Sequence, residues 1–388
     1  MNNDIAIILT LSAIIFTSPL ISKIIRIPII PIEIMLGSIA ISFGVFEKDP
    51  IFSLVAELGF LYLLFLAGLE VDLKKLFKVD PSILKKALFY TTLLYLISAL
   101  TCFYFNLSNI FIVIAPLISI GLLAAIKKEY GDLPWINLAI TVGLIGEIVS
   151  IIVLTIVSAK LQLGIGAEFY YTLMELLLVF VGVALFYKLF HNIIWWYPGI
   201  KTYLMPKFDN QEQDIRLSMA IFFLMVAIMH HLHLEVALGG FIAGVFIATF
   251  FEHNKDLPHK LEHFGFGWLV PIFFVWVGTS FELKSLLIDN LINVALLITL
   301  AMITLRVVSS MLFLKELGLK GSILLAHSHS MPLTLVVAVA TLAHHSQSIS
   351  DFYYYAFILA AILEVIIGMI LIRVISKIEF KTEKEIVN

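Results

Sequence analysis

Long runs of apolar residues, separated by short polar segments, repeat along the whole chain. A run of roughly 20 apolar residues has the length of a helix that crosses a bilayer. By this criterion the pattern predicts about thirteen membrane-spanning helices. They cover approximately residues 5–22, 29–45, 51–71, 87–105, 109–126, 136–157, 168–187, 217–233, 236–251, 264–281, 291–314, 321–343 and 352–372. The pattern therefore predicts an all-α polytopic membrane protein.

The composition agrees with this prediction and excludes several classes of protein. Hydrophobic residues make up 61% of the 388 residues and charged residues 14%, with a mean hydropathy of +1.04. A soluble chain has about 25% charged residues. The single cysteine, Cys102, lies in an apolar run, which excludes disulfides and thiol-ligated metals. The chain has no glycine-rich phosphate loop with its lysine, so we expect no nucleotide-powered pump. We also expect no enzyme activity, no cofactor and no nucleic-acid partner.

Lysine and arginine are distributed unequally between the loops. If the N-terminus is outside, nearly all of them fall on the inner side, and only Lys48, Lys160 and Lys284 lie in outer loops. Cytoplasmic loops carry an excess of positive charge. We therefore expect an outside N-terminus, a cytoplasmic C-terminus and a location in the cell inner (cytoplasmic) membrane. One miscounted span would invert every later loop and remove the bias.

Two predicted spans contain a proline among small polar residues. Pro116 lies near Ser119 in the fifth span, and Pro332 follows Ser328 and Ser330 in the twelfth. Proline removes a backbone donor and disrupts its helix. Discontinuous helices in matching positions of two halves are typical of secondary transporters. With the seventh span as a linker, the remaining spans form two six-helix units of opposite orientation, which predicts an inverted repeat.

Three charged side chains lie at membrane depth. Glu147 is in the middle of 136–157, Arg306 is in the middle of 291–314, and Glu364 follows Pro332 at nearly the offset at which Glu147 follows Pro116. A charge at the bilayer centre costs about 2.5–3.5 kcal/mol even on the lenient insertion scale, so such residues usually mark an ion pathway.

Three segments resemble a known transporter family. They are FLAGLEVDL at 65–73, EVALGGFIAG at 235–244 and PIFFVWVGT at 271–279. They resemble the monovalent cation:proton antiporters of the second class, which include bacterial sodium/proton exchangers and potassium-efflux systems. The resemblance covers nearly the whole chain in the right order. It implies a homodimer in which scaffold helices hold a mobile core that contains crossed, unwound helices.

The resemblance implies a division of the chain into parts. Scaffold and dimer helices are expected at 1–80 and 216–286, the ion-transport core at 81–159 and 287–376, a linker helix with an inner loop at 160–215, and a short cytoplasmic tail at 377–388.

The resemblance also implies roles for individual residues. Gly146 and Glu147 fall where the family places a pair of polar or acidic residues, the second of which binds cation and proton in competition. Arg306 falls at the position of a membrane-embedded lysine or arginine, and Ser119 is expected to replace a threonine hydroxyl. Because Gly146 supplies no acid, we expect a single titrating carboxylate and electroneutral exchange. Glu364 is then the only candidate for a second acid.

The charges themselves lead to related expectations. A site that alternately holds a proton and a cation, Na⁺ or K⁺, needs a carboxylate and further oxygen ligands. Glu147 and Ser119 would provide these, together with carbonyl and serine oxygens at the two helix breaks. Arg306 is expected mainly to neutralise the core, by pairing with Glu147 or Glu364 or by donating to carbonyls at the breaks. Glu364 is expected to be either the partner of Arg306 or the second acid.

Several other residues have simpler interpretations. His327 and His329 lie beside the break in the twelfth span and are candidates for pH sensing. Glu33 lies near the estimated end of a span, which predicts solvation at the interface. Gly240 and Gly244 form a small-xxx-small pair, for which packing within one chain is expected.

The leading prediction is antiport of Na⁺ or K⁺ against H⁺ by alternating access, with a role in pH homeostasis. A ligand-gated potassium-efflux system and a non-transporting membrane sensor are the alternatives. The short charged tail after Arg373 argues against an attached regulatory domain of the potassium-efflux kind. Gly146 and the missing threonine favour the sensor.

Overall fold

The computed structural model describes residues 3–25, 29–47, 49–71, 79–120, 123–164, 166–197, 199, 203, 212–232, 234, 236–251, 254, 256–280 and 283–377. Within these ranges the regular structure is helical, without strands. The α-helices are α1 (Asn3–Ile25), α2 (Ile29–Ser42), α3 (Pro50–Glu70), α4 (Pro81–Phe105), α5 (Ile110–Ile114), α6 (Leu123–Tyr130), α7 (Pro134–Leu163), α8 (Ala167–Trp196), α9 (Gln213–His231), α10 (Val236–Phe250), α11 (Leu257–Phe264), α12 (Val270–Thr279), α13 (Leu291–Ser310), α14 (Leu314–His329), α15 (Leu333–His345) and α16 (Asp351–Lys377). A π-helix, Gly265–Leu269, joins α11 to α12, and 3₁₀-helices cover Leu283–Leu287 and Met311–Phe313.

Most of these helices are suited to a bilayer. Among the described residues, 8 helical segments are long and apolar enough to cross a membrane, and α2, α10 and α15 are shorter apolar helices. Each predicted span coincides with one helix or with a helix interrupted by a break. The prediction of an all-α polytopic fold is confirmed.

The chain forms two compact units. The first consists of Met1–Lys78 and Thr155–Ser285, and the second of Val79–Leu154 and Leu286–Asn388. The scaffold and transport roles expected for the parts of the chain stay predictions.

Helices of the first unit pack with their backbones in contact. A Cβ at Gly244 of α10 would overlap the carbonyl oxygen of Phe65 in α3. A Cβ at Gly240 would lie 2.6 Å from the carbonyl oxygen of Leu61. Small residues permit this close approach. The predicted packing of Gly240 and Gly244 within one chain is confirmed.

Glu33 is buried in the first unit. Its side chain is 3% exposed, and the Ser18 hydroxyl of α1 donates to its Oε1 at 3.2 Å. The prediction of interfacial solvation is wrong for this residue, because α1 packs against α2 and covers it.

Both predicted helix breaks are present in the second unit. α5 ends at Ile114, and a non-helical stretch that contains Pro116 continues to Ile120. α14 ends with Ser330 as its C-cap, and α15 begins directly after Pro332. Each break therefore occurs at the proline that the sequence indicated, where the backbone donor is missing.

Candidate functional site

The Glu147 side chain is held by the break in the first discontinuous helix. Glu147 lies in α7 and is 1% exposed. The Ser119 hydroxyl donates to its Oε1 at 3.1 Å, and the backbone N–H of Ile120 donates to its Oε2 at 3.3 Å. This N–H is available because the chain has left the helix and no carbonyl one turn earlier receives it. The structure thus brings together both sequence-predicted residues, Ser119 and Glu147.

Two glycines of α7 make room for this approach. A Cβ at Gly143, one turn before Glu147, would lie 2.6 Å from Cγ2 of Ile120. A Cβ at Gly146 would overlap the end of the Ile118 side chain and lie 3.2 Å from its Cβ. The unwound stretch therefore lies directly on the α7 backbone. Ile118 occupies the space that a side chain at position 146 would need.

Ser150 holds the same stretch on the other side of Glu147. Its hydroxyl accepts from the backbone N–H of Ile118 at 3.0 Å and donates to the carbonyl of Gly146 at 2.8 Å. Ser150 is fully buried. Ser150 was not predicted from the sequence, where the signal is a serine one turn after Glu147 in an apolar helix, a pattern equally typical of simple packing.

Arg306 pairs with Glu364. Its Nη1 lies 2.8 Å from Oε1 of Glu364 and also donates to the carbonyl of Met302 at 2.9 Å. Its Nη2 donates at 2.6 Å to the carbonyl of Leu117, in the first helix break. Both charged side chains are 0% exposed. Arg306 thereby connects α13 to α16 and to the unwound stretch that also reaches Glu147.

This pairing leaves Glu147 without a cationic partner among the described residues. The charges of Arg306 and Glu364 compensate each other, although Nε of Arg306 and Oε2 of Glu364 have no hydrogen-bond partner within the described part of the chain. A buried carboxylate that lacks a counter-charge is unstable, so it takes up a proton or a bound cation. The arrangement can therefore hold either one at Glu147.

The serines of the second break form bonds within their own helix. The Ser328 hydroxyl donates to the carbonyl of Leu325 at 2.7 Å, and the Ser330 hydroxyl donates to that of Ala326 at 3.0 Å. The structure does not bring either hydroxyl to Glu147. Their predicted part in cation binding therefore depends on lone pairs that these bonds leave free.

The two histidines beside the second break are both buried. His327 is 5% exposed, and its Nδ1 has no partner in the described residues. His329 is 0% exposed, and both of its ring nitrogens have polar neighbours. Their role in pH sensing stays a prediction.

Comparison with known proteins identifies the family. The model of the family described as "Sodium/hydrogen exchanger, transmembrane" matches residues 10–377. The chain belongs to the sodium/hydrogen exchanger family. It is a multi-pass membrane protein of a transporter family, and the resemblance noted in the sequence is confirmed at this level.

Individual proteins are similar to this chain over much of its length. The chain is 26% identical over 385 residues to "Putative Na(+)/H(+) antiporter YjbQ" of Bacillus subtilis (strain 168), an alignment that covers 92% of this chain. The chain spans only 61% of the length of that relative. It is 28% identical over 322 residues to "Probable Na(+)/H(+) antiporter 3" of Methanocaldococcus jannaschii, with 79% of each chain covered.

A solved structure shares the fold. The sodium proton antiporter MjNhaP1 from Methanocaldococcus jannaschii, determined at pH 8, matches with a TM-score of 0.68 and 17% sequence identity. The match covers 96% of this chain and 99% of that one. The predicted fold class is therefore confirmed by an independent structure.

Proposed function

We propose that the protein is a secondary active antiporter that exchanges a monovalent cation, Na⁺ or K⁺, for H⁺ by alternating access. The observation that carries this proposal is the buried carboxylate of Glu147, which is held at a helix break and has no cationic partner among the described residues. Membership of the sodium/hydrogen exchanger family supports it, and two relatives have names that include Na(+)/H(+) antiporter.

Competition at one carboxylate couples the two fluxes. A protonated Glu147 offers a cation no negative charge, and a bound cation displaces the proton. The Ser119 hydroxyl donates to Glu147 in the structure, but it can turn and present its oxygen to a cation. Carbonyls of an unwound helix are further ligands of the kind that coordinate Na⁺ in transporters. The site therefore changes its access from one side of the membrane to the other only with H⁺ or the cation bound, because the bare carboxylate is costly at membrane depth.

Arg306 and Glu364 have a compensating role in this proposal. Their mutual contact neutralises both charges, and the guanidinium also holds the Leu117 carbonyl at 2.6 Å. The pair thus fixes the unwound stretch that supplies the Glu147 donors. Neither residue needs to change its charge during transport.

The membrane location, the orientation and the oligomeric state are proposed from the sequence. We place it in the cytoplasmic membrane with the N-terminus outside and the C-terminus inside, supported by the lysine and arginine distribution. A homodimer is supported by the family resemblance.

Purified protein in liposomes with a trapped pH-sensitive dye tests the proposed activity. Na⁺, K⁺ and Li⁺ are added in separate experiments, with choline as the control. At least one of the three cations should cause proton movement across the liposome membrane. No proton movement with any of the three, from correctly inserted protein, would contradict antiport and favour the sensor. Potassium flux without proton movement would favour the efflux system.

Exchange is expected to be electroneutral. If Glu147 carries one proton in one direction and one monovalent cation in the other, the net charge moved is the same both ways. One uncompensated charge is worth about 2.3 kcal/mol per 100 mV, so an imposed potassium-diffusion potential should not alter Na⁺-dependent exchange. A rate that follows the voltage would contradict this. Loss of that response in Glu364→Gln would then identify Glu364 as a second acid.

A second acid at position 146 is expected to require space. Gly146→Asp alone should reduce exchange, because the new side chain overlaps Ile118. Combined with Ile118→Ala, it should recover exchange that now follows the imposed voltage. Ile118→Ala alone is the control and should remain indifferent to voltage. Voltage-independent exchange in the double variant would show that an acid at 146 does not titrate.

A further inference from the structure

His329 connects the second broken helix to the helix that carries Glu147. Its Nε2 lies 2.8 Å from the carbonyl oxygen of Ala139 in α7, and its Nδ1 lies 3.2 Å from the hydroxyl of Tyr90 in α4. Both His329 and Tyr90 are 0% exposed. One imidazole thus joins three helices at a point about two turns before Glu147.

The contacts determine where the imidazole carries its proton. A carbonyl oxygen can only accept, so Nε2 must donate to Ala139. Nδ1 of the neutral ring then accepts from the Tyr90 hydroxyl. A second proton would create a buried positive charge, and no carboxylate of the described residues pairs with His329. The neutral Nε2–H form satisfies both ring nitrogens without that cost.

Gly143 provides the space for this link and connects it to the ion site. A Cβ at Gly143 would lie 2.9 Å from Nε2 of His329 and 2.6 Å from Cγ2 of Ile120. His329 from the second broken helix and Ile120 from the first therefore meet at one residue of α7. The N–H of the same Ile120 donates to Oε2 of Glu147.

We propose that His329 is a positioning residue for the cation site: its neutral imidazole keeps α7, and with it Glu147, aligned with both broken helices. This inference rests on the proposed antiport function. Without the link, Glu147 shifts relative to the oxygens that the breaks supply. Cation binding should therefore weaken more than the maximal rate falls.

Three substitutions separate the two hydrogen bonds of the ring. His329→Gln places an amide N–H at the same number of bonds from Cβ as Nε2 and can keep the bond to Ala139. His329→Asn is too short for Ala139 but can accept from Tyr90, and His329→Leu can do neither. The half-saturating cation concentration should rise about tenfold in the asparagine and leucine variants and stay within about threefold of the parent in the glutamine variant. Equal effects of glutamine and leucine, or a loss confined to the maximal rate, would overturn the proposal.

His327 offers a matched control. It lies in the same last turn of α14 and is also buried, but its Nδ1 has no hydrogen-bond partner in the described residues. His327→Gln should leave the half-saturating cation concentration within about twofold of the parent value. A tenfold rise there would show that any change at this helix end disturbs binding, and the assignment of His329 would fail.

Nitrogen-15 NMR of histidine-labelled protein in lipid nanodiscs tests the proton position without transport. The His329 signals, assigned by their loss in His329→Gln, should show a neutral ring with the proton on Nε2 at neutral pH. Tyr90→Phe should shift the Nδ1 signal and leave Nε2 protonated. A proton on Nδ1, or a charged ring at neutral pH, would overturn the proposal, and the charged ring would favour pH sensing instead.

These measurements keep the two proposals separate. If the parent protein exchanges none of Na⁺, K⁺ and Li⁺ for protons, the antiport function fails, and the positioning role fails with it even where NMR shows the expected ring. If the parent exchanges and the glutamine and leucine variants bind cations alike, only the role of His329 fails.

Discussion

Glu147→Gln is expected to reduce cation-dependent proton movement in liposomes to the level of protein-free liposomes. Glutamine keeps the size of the side chain, and its carbonyl can still accept from Ser119 or from the N–H of Ile120. It cannot release a proton or supply a negative charge to a cation. Thermal unfolding in detergent should remain near that of the parent, because no buried charge is created.

Two controls define this result. Glu147→Asp keeps the charge but withdraws it by one methylene, so it should exchange with a weaker apparent affinity for the cation. Glu168→Gln changes an exposed glutamate in the first turn of α8 and should behave like the parent. Exchange near the parent rate in Glu147→Gln would refute the assignment of Glu147 as the titrating group.

Arg306→Ala is expected to destabilise the protein strongly. The substitution leaves Glu364 as a buried carboxylate without a partner and releases the carbonyl of Leu117. Breaking a buried ion pair in this way costs about 3–5 kcal/mol. Thermal melting in detergent should therefore fall clearly below that of the parent. An unchanged melting temperature would show that Glu364 finds water or another partner.

A double substitution separates the cost of an unpaired charge from the loss of packing. Arg306→Met with Glu364→Met removes both charges and should recover most of the stability that Arg306→Ala loses, because apolar replacement of a whole buried pair is often neutral. If the double variant is as unstable as the alanine variant, packing rather than charge determines the effect.

Arg306→Lys keeps the charge but loses the planar guanidinium that donates to Glu364 and to Leu117 at the same time. This variant should keep transport with a shifted pH optimum, measured with the same pH-sensitive dye.

The contacts of the proposed ion site were only partly predictable. Glu147 and Ser119 were expected to act together from the family resemblance, and the structure has a hydrogen bond between them. Ser150 and Gly143 were not identified, because a buried serine or glycine in an apolar helix has many packing roles. Their contacts with Ile118 and Ile120 become visible only when the unwound stretch is placed on α7.

The sequence by itself determined the membrane-spanning helices and the two breaks. A bilayer responds to the hydropathy of consecutive residues, and a proline such as Pro116 or Pro332 acts on its own helix, so both properties are local. The partners of the buried charges were decided by the tertiary structure. Arg306 had two candidate acids, and Glu364, 58 residues away along the chain, proved to be the one in contact. Contacts between side chains of packed helices depend on distances in space. The order of residues along the chain does not specify these distances.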